Sequence, residues 1–351
     1  MEERRHYIDN LRSFAVLSVV VFHTVFIFGC YSTRGTVGSF DRVQYQDIIA
    51  YLINPWLVSV LFLVAGISSR IYLQKHTVKE YLKQRALRCL VPSTLGVLTF
   101  HFIEGYIGAR YIGRFTDSTS YFNALILGVN AMWYLWLLWL FSLIAALTAY
   151  IEKGRLYRRT SKAPLIPFLV PVWMCFQFLN LDRYFPAHIG GYSALFMLGF
   201  FVLAHNEPIE RLSRNWYVPA TAATAFGIWY IVKYYGSDFV SGEVVRSPVT
   251  VAYGYLSCLT LIAVFKHFFN KETEFFLFLR KNCFGIYVFH YLPLCLSAYL
   301  VYEYTLLAPP LCYLITLVSA ISGSLILHFI ISKIPLLRFC TLGTVKRKEN
   351  R

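Results

Sequence analysis

Long, nearly uncharged runs alternate with short polar breaks along almost the whole chain. An α-helix needs about 20 apolar residues to cross the ~30 Å hydrocarbon layer of a bilayer. Ten stretches approach that requirement, at 11–29, 48–69, 89–108, 124–150, 163–180, 188–205, 216–235, 249–265, 283–302 and 308–331. The fourth is long enough to include a tilted or interfacial turn, and the sixth, HIGGYSALFMLGFFVLAH, is the weakest. The breaks are mostly short, and no low-complexity linker, internal repeat or appended soluble segment separates the chain into parts. The pattern predicts an all-α integral membrane protein, a single bundle of about ten transmembrane helices formed by residues 1–351.

Composition agrees with this reading. The chain is 57% hydrophobic and 15% charged, where a soluble domain carries about a quarter charged residues. The formal charge is +15, and its distribution says more than its size. With the N-terminus inside, the outer side holds only Arg34, Arg42, Arg110, Arg114, Arg183, Lys233 and Arg246 of the 33 basic residues. Basic loops stay on the cytoplasmic side, held there by anionic lipid. Both termini are therefore expected in the cytoplasm and the protein in the cell (inner) membrane. The charge then reports topology; no basic patch with interleaved aromatics points to nucleic acid. The basic amphipathic stretch 70–88 is expected along the inner surface. Eight cysteines lie scattered without a C-x-x-C pair, which points to neither a disulfide framework nor a zinc site. The nine histidines are equally dispersed, so no metal is expected.

Candidate chemistry sits inside the spans. Arg12 and His23 are eleven residues apart, almost three helical turns, so they face the same way with a rise of roughly 16 Å. That places His23 near the bilayer midplane if Arg12 marks the inner interface. An ionisable group at such depth usually faces the bundle interior or a water-filled cavity. A hydrogen bond to a neighbouring helix accounts for His23 as well as a chemical role does, and Arg12 alone is satisfied by an orientation signal. Arg85 and Arg88 are one helical turn apart, and guanidinium forks suit phosphate oxygens, although in a generic membrane protein attraction to lipid head groups is the prevailing reading. His101 and Glu104 form an interior pair one turn apart. Trp133, Tyr134 and Trp136 suit an interfacial aromatic belt, or a surface on which a sugar stacks.

Taken together, these residues resemble a family. Arg12, ten residues and then His23 in the first span, with Arg85-x-x-Arg88 before the third, look like the acyltransferase 3 family of multi-spanning membrane O-acyltransferases. LFLVAGISSR (61–70) resembles its second span, with Ala65-Gly66-Ile67 where a Ser-Gly-Phe-like turn is common. MWYLWLLWLF (132–141) is similar to its aromatic stretch, and FGIYVFHYLPL (284–294), with His290, to its late Tyr-x-x-His segment. The opening YIDNLR leans toward the branch of the osmoregulated glucan succinyltransferases. The resemblance implies transfer of an acyl group, acetyl or succinyl in type, from cytoplasmic acyl-CoA to a hydroxyl of an extracytoplasmic glycan or glycolipid. Arg12, Arg85 and Arg88 would hold the CoA phosphates, and the pantetheine arm would bring the thioester toward His23, the general base. His290 would bind the acceptor or orient His23, and Trp133, Tyr134, His101 and Glu104 would face the acceptor. The donor acyl-CoA is a substrate, and no permanently bound cofactor is implied. The oligomeric state is not fixed by these residues.

Other catalytic signatures are missing: there is no G-x-S-x-G, no H-E-x-x-H and no G-x-x-x-x-G-K-[ST]. The competing reading is a secondary transporter or flippase, whose coupling residues are also interior His and Arg. Such a carrier is expected to show inverted repeats or broken helices at matching positions, and neither is visible in the sequence.

Overall fold

The computed structural model describes residues 5–30, 40–103, 105–106, 132–178 and 188–344, and among these there is no strand. In chain order the main helices are α1 (His6–Phe28), α2 (Ile48–Leu73), α3 (Val78–Arg85), α4 (Trp133–Glu152), α5 (Arg155–Arg159), α6 (Leu169–Phe178) and α7 (Ile189–Leu198). They continue as α8 (Asn206–Arg214), α9 (Tyr217–Tyr234), α10 (Pro248–Phe268), α11 (Glu274–Phe289), α12 (Tyr291–Tyr304), α13 (Pro309–Ile331) and α14 (Pro335–Leu342). Five of them, α1, α2, α4, α10 and α13, are long and apolar enough to cross a membrane. The count rises to seven if the bent pairs, Ile189–Leu203 with α8 (97°) and α11 with α12 (60°), are each one span. The protein is thus a multi-pass membrane protein, helical and without strands among its described residues. Among the described residues, three of the ten expected spans do not qualify, for local reasons. The third is wound differently from an α-helix and runs out of the described residues, and the fifth is confined to Ile166–Phe178. The seventh, α9, is diluted by Thr, Tyr, Trp and Lys side chains.

Local chemistry accounts for several boundaries. Thr77 and Glu80 form a reciprocal capping box at the start of α3: the Glu80 carboxylate accepts from the Thr77 N–H at 2.9 Å, and the Thr77 hydroxyl accepts from the Glu80 N–H at 3.3 Å. The Thr77 backbone N–H holds the Glu80 carboxyl below its ordinary value. Ser247 caps α10, accepting from the Thr250 N–H, with Pro248 at the first helical position where its missing N–H costs nothing. Beyond α3 the helix widens into π-helical segments, Ala86–Leu90 and Pro92–His101. Pro92 has no N–H to donate and would clash with the carbonyl four residues back, a cause of local rewinding. The Ser93 and Thr94 hydroxyls bond the carbonyls of Cys89 (2.7 Å) and Leu90 (2.6 Å), which re-satisfies backbone acceptors where no water is at hand.

The chain forms two compact units. The first comprises residues 1–18, 48–81 and 141–280. In it α2 packs against α7 at backbone contact distance. A Cβ on Gly66 would stand 2.0 Å from the Phe196 carbonyl oxygen, and one on Gly199 would stand 2.2 Å from that of Leu63. Small residues permit such approach, the usual way helices associate where lipid removes any hydrophobic difference between them. Gly66 lies inside α2, so Ala65-Gly66-Ile67 is a helical segment and not a turn. At the end of α2, Arg70 is buried and pairs with Glu152 at 2.7 Å, the two side chains being 8% and 10% exposed. Its guanidinium also lies 4.0 Å from the centre of the Tyr157 ring, which stacks on His205. The other Glu152 oxygen accepts from the Leu156 N–H. One carboxylate therefore ties α2, α4 and α5 together.

The second unit comprises residues 19–47, 82–140 and 281–351. It contains the end of α1, the π-helical segments, the start of α4, the end of α11, and α12 to α14. Here α12 packs on α13, and α14 packs on the Pro92–His101 segment. Asp47 is buried and accepts from the Tyr313 hydroxyl at 2.8 Å and from the Gln44 N–H at 2.7 Å. The partners satisfy a carboxylate that would otherwise be costly to bury.

Removing one member of a buried ion pair leaves the other charge unpaired, at a cost of about 3–5 kcal/mol. Arg70→Ala is expected to lower the unfolding midpoint of the purified protein in detergent, and Arg70→Met with Glu152→Leu to restore much of it. Circular dichroism melting of both variants checks this. Gly66→Val, which forces α2 from α7, is expected to abolish the folded monodisperse peak in size-exclusion chromatography.

Candidate active site

The site is built in the second unit, where helices of different origin meet around two imidazoles. His23 lies on α1, five residues before its end, and keeps part of its surface exposed. His290 lies at the break between α11 and α12 and is completely buried. That break has a local cause. Pro293 offers no N–H to the carbonyl of Phe289 four residues earlier, and the helix bends by 60° there.

His23 Nδ1 stands 2.9 Å from His290 Nε2. The two rings are tilted by only 10°, with centroids 5.2 Å apart. The N···N separation plus the two ring radii accounts for that spacing, so the rings meet edge to edge in one plane. This is the arrangement of a hydrogen bond along a nitrogen lone pair. On its other side His290 Nδ1 lies 2.7 Å from the carbonyl oxygen of Tyr287. Tyr291 stands edge-on to His23 at 5.4 Å and 88°. His101 is also fully buried, at the end of the π-helical segment, and within electrostatic reach of His290. Glu104, its expected partner, lies outside the described residues.

The arginines have different surroundings. Arg12 belongs to the first unit, where it donates to the Ser68 hydroxyl at 2.7 Å and lies 3.5 Å from Asp9. Its side chain remains 40% exposed. On an unbroken α-helix Arg85 and Arg88 would share a face, but the π-helical winding starts between them, at Ala86. Arg88 is exposed, donates to the Leu342 carbonyl at 3.5 Å and lies over Phe284 at 5.7 Å. Arg85 is half-buried against Cys89. Of the aromatic stretch, Tyr134 meets Tyr287 edge-on at 6.0 Å. Trp136 is 45% exposed, yet its indole N–H donates to the Ser93 carbonyl at 2.7 Å and so fastens α4 to the π-helical segment. Trp133 is half-buried.

Two contributors were invisible in the sequence. A backbone carbonyl such as that of Tyr287 has no residue-type signature, and Tyr291 reads as one more aromatic among many. The proline three residues after His290 was the available signal, since it marks the helix break that brings the Tyr287 carbonyl and His290 together.

A multi-pass membrane protein with paired imidazoles inside its helices belongs with proteins that carry out chemistry or coupling within the bilayer. The comparisons narrow this. Residues 5–329 match the family model described as an acyltransferase domain. The chain belongs to the acyltransferase 3 family and is an acyltransferase. No curated protein and no solved structure matches it.

Proposed function

We propose that this membrane acyltransferase moves an acetyl- or succinyl-type group from cytoplasmic acyl-CoA to a hydroxyl of an extracytoplasmic glycan or glycolipid, with His23 as general base. The observation that carries the reading is the His23–His290 pair, an interior histidine held through one ring nitrogen while it keeps exposed surface. In the reaction the acceptor oxygen attacks the thioester carbon as His23 takes the hydroxyl proton. The C–S bond then breaks, and the CoA sulfur leaves with that proton as the thiol. A positioned base of this kind contributes typically 10²–10⁴-fold.

In this reading Arg12, Arg85 and Arg88 hold the CoA phosphates, and the exposure that each retains supports the role. Trp133, Tyr134 and His101 face the acceptor. Ten crossings would place both termini in the cytoplasm of a cell inner membrane, and the YIDNLR opening favours a glucan succinyltransferase-like acceptor. One observation favours transport: the helix is broken at His290, as helices often are at carrier binding sites. The other bend leads into α8, whose charged residues make it a surface helix rather than the matching half of a repeat.

His23→Ala is expected to reduce acyl transfer at least about a hundredfold while membrane abundance is unchanged, read by mass spectrometry of cell-envelope glycans. Retained modification removes His23 from the chemistry. Arg85→Ala with Arg88→Ala is expected to weaken acyl-CoA binding to the purified protein roughly ten- to a hundredfold, as loss of charge-assisted hydrogen bonds would. Substrate flux into reconstituted vesicles without any acyl donor is the result that the transport reading requires.

A further inference from the structure

The hydrogen bonds around His290 fix where every proton of the pair must sit. The carbonyl of Tyr287 can only accept, so His290 Nδ1, 2.7 Å away, carries a hydrogen. A neutral His290 then has a bare lone pair on Nε2, and that lone pair faces His23 Nδ1 at 2.9 Å in the plane of both rings. His23 must supply the hydrogen of this contact. The alternative gives His290 a second proton and places a full positive charge on a residue that is 0% exposed, at large cost.

From this chain of contacts we infer that His290 is a positioning residue which, through the Tyr287 carbonyl, locks His23 in the Nδ1–H tautomer and leaves Nε2 as the proton-accepting atom. The inference rests on the reading of His23 as the base and identifies the atom that acts. Among the described residues nothing hydrogen-bonds His23 Nε2, and His23 retains exposed surface. When Nε2 takes the hydroxyl proton, His23 becomes an imidazolium whose Nδ1–H still donates to His290. The pair therefore needs no rearrangement during the step. Both nitrogens of His290 are engaged, which leaves it none with which to bind an acceptor hydroxyl. His290 Nε2 stands where the carboxylate stands in a Ser-His-Asp triad, accepting from the Nδ1–H of the base, and the Tyr287 carbonyl holds His290 in the tautomer that allows this without adding charge to the bilayer interior.

The test is ¹⁵N solid-state NMR of histidine-labelled full-length protein in bilayers, with His23 assigned by loss of its signals in His23→Gln. A protonated Nδ1 and an unprotonated Nε2 at His23 are expected; the reverse overturns the inference without any activity measurement. His290→Phe is expected to release the lock, shift His23 toward Nε2–H and lower kcat roughly 100- to 10,000-fold with KM for acyl-CoA unchanged. His290→Gln, whose amide oxygen can accept the same hydrogen, is expected to restore much of the tautomer signal and of kcat. Unchanged kcat in a folded His290→Phe protein also overturns the inference. The two readings fail separately. A locked tautomer with full transfer in His23→Ala sinks the base, whereas the wrong tautomer with no transfer in His23→Ala sinks only the lock.

Discussion

A polar group in hydrocarbon has no water to turn to, and each one left without a partner costs several kcal/mol. That constraint governs the placement of many interior hydroxyls and charges among the described residues of this protein. On α1 the hydroxyls of Ser13, Ser18 and Thr24 fold back onto the carbonyls four residues earlier. Arg70 meets Glu152 and two aromatic faces, and Asp47 meets Tyr313. The imidazoles of His23 and His290 answer the same demand by meeting each other in one plane. A pair assembled to satisfy its own polarity is also a pair with fixed proton positions, and fixed proton positions are what a proton-accepting group requires.

Two prolines do much to shape that neighbourhood. Pro92 accompanies the widening of the third helix, and Ser93 and Thr94 absorb carbonyls there. Pro293 accompanies the break at which His290 stands. A regular helix supplies side chains at 3.6 residues per turn and keeps its carbonyls for its own N–H groups. Departures from regularity turn backbone carbonyls into ligands for side chains, as Tyr287 does for His290 and Ser93 for Trp136. In the bilayer such departures are tolerated where neighbouring protein re-satisfies the backbone.

Much of the protein could be read directly. The apolar runs marked α1, α2, α4, α10 and α13 because span length follows from bilayer thickness. The spacing of Arg12, His23, Arg85, Arg88 and His290 pointed to the acyltransferase 3 family, to which residues 5–329 belong. Less legible was the local winding. The expectation of Arg85 and Arg88 on one face assumed an α-helix throughout, whereas the helix widens at Ala86. The broken helices also escaped, since a single proline is compatible with a kink, a break or a simple end.

Hydrophobic periodicity and charge thus determined, from the chain alone, that the protein lies in a membrane as helices and that His23 and His290 stand within apolar runs, whereas the burial of Arg70 and Asp47 appears only in the structure. They do so because the cost of exposing charge to lipid is local, residue by residue. Which interior groups meet is not local. His23 and His290 are 267 positions apart, and only folding brings their nitrogens within 2.9 Å. The Tyr287 carbonyl exists at every possible sequence and acquires a role through geometry alone. The tertiary structure therefore decided the partnership, because a hydrogen bond depends on distance and angle, and neither is carried by residue type.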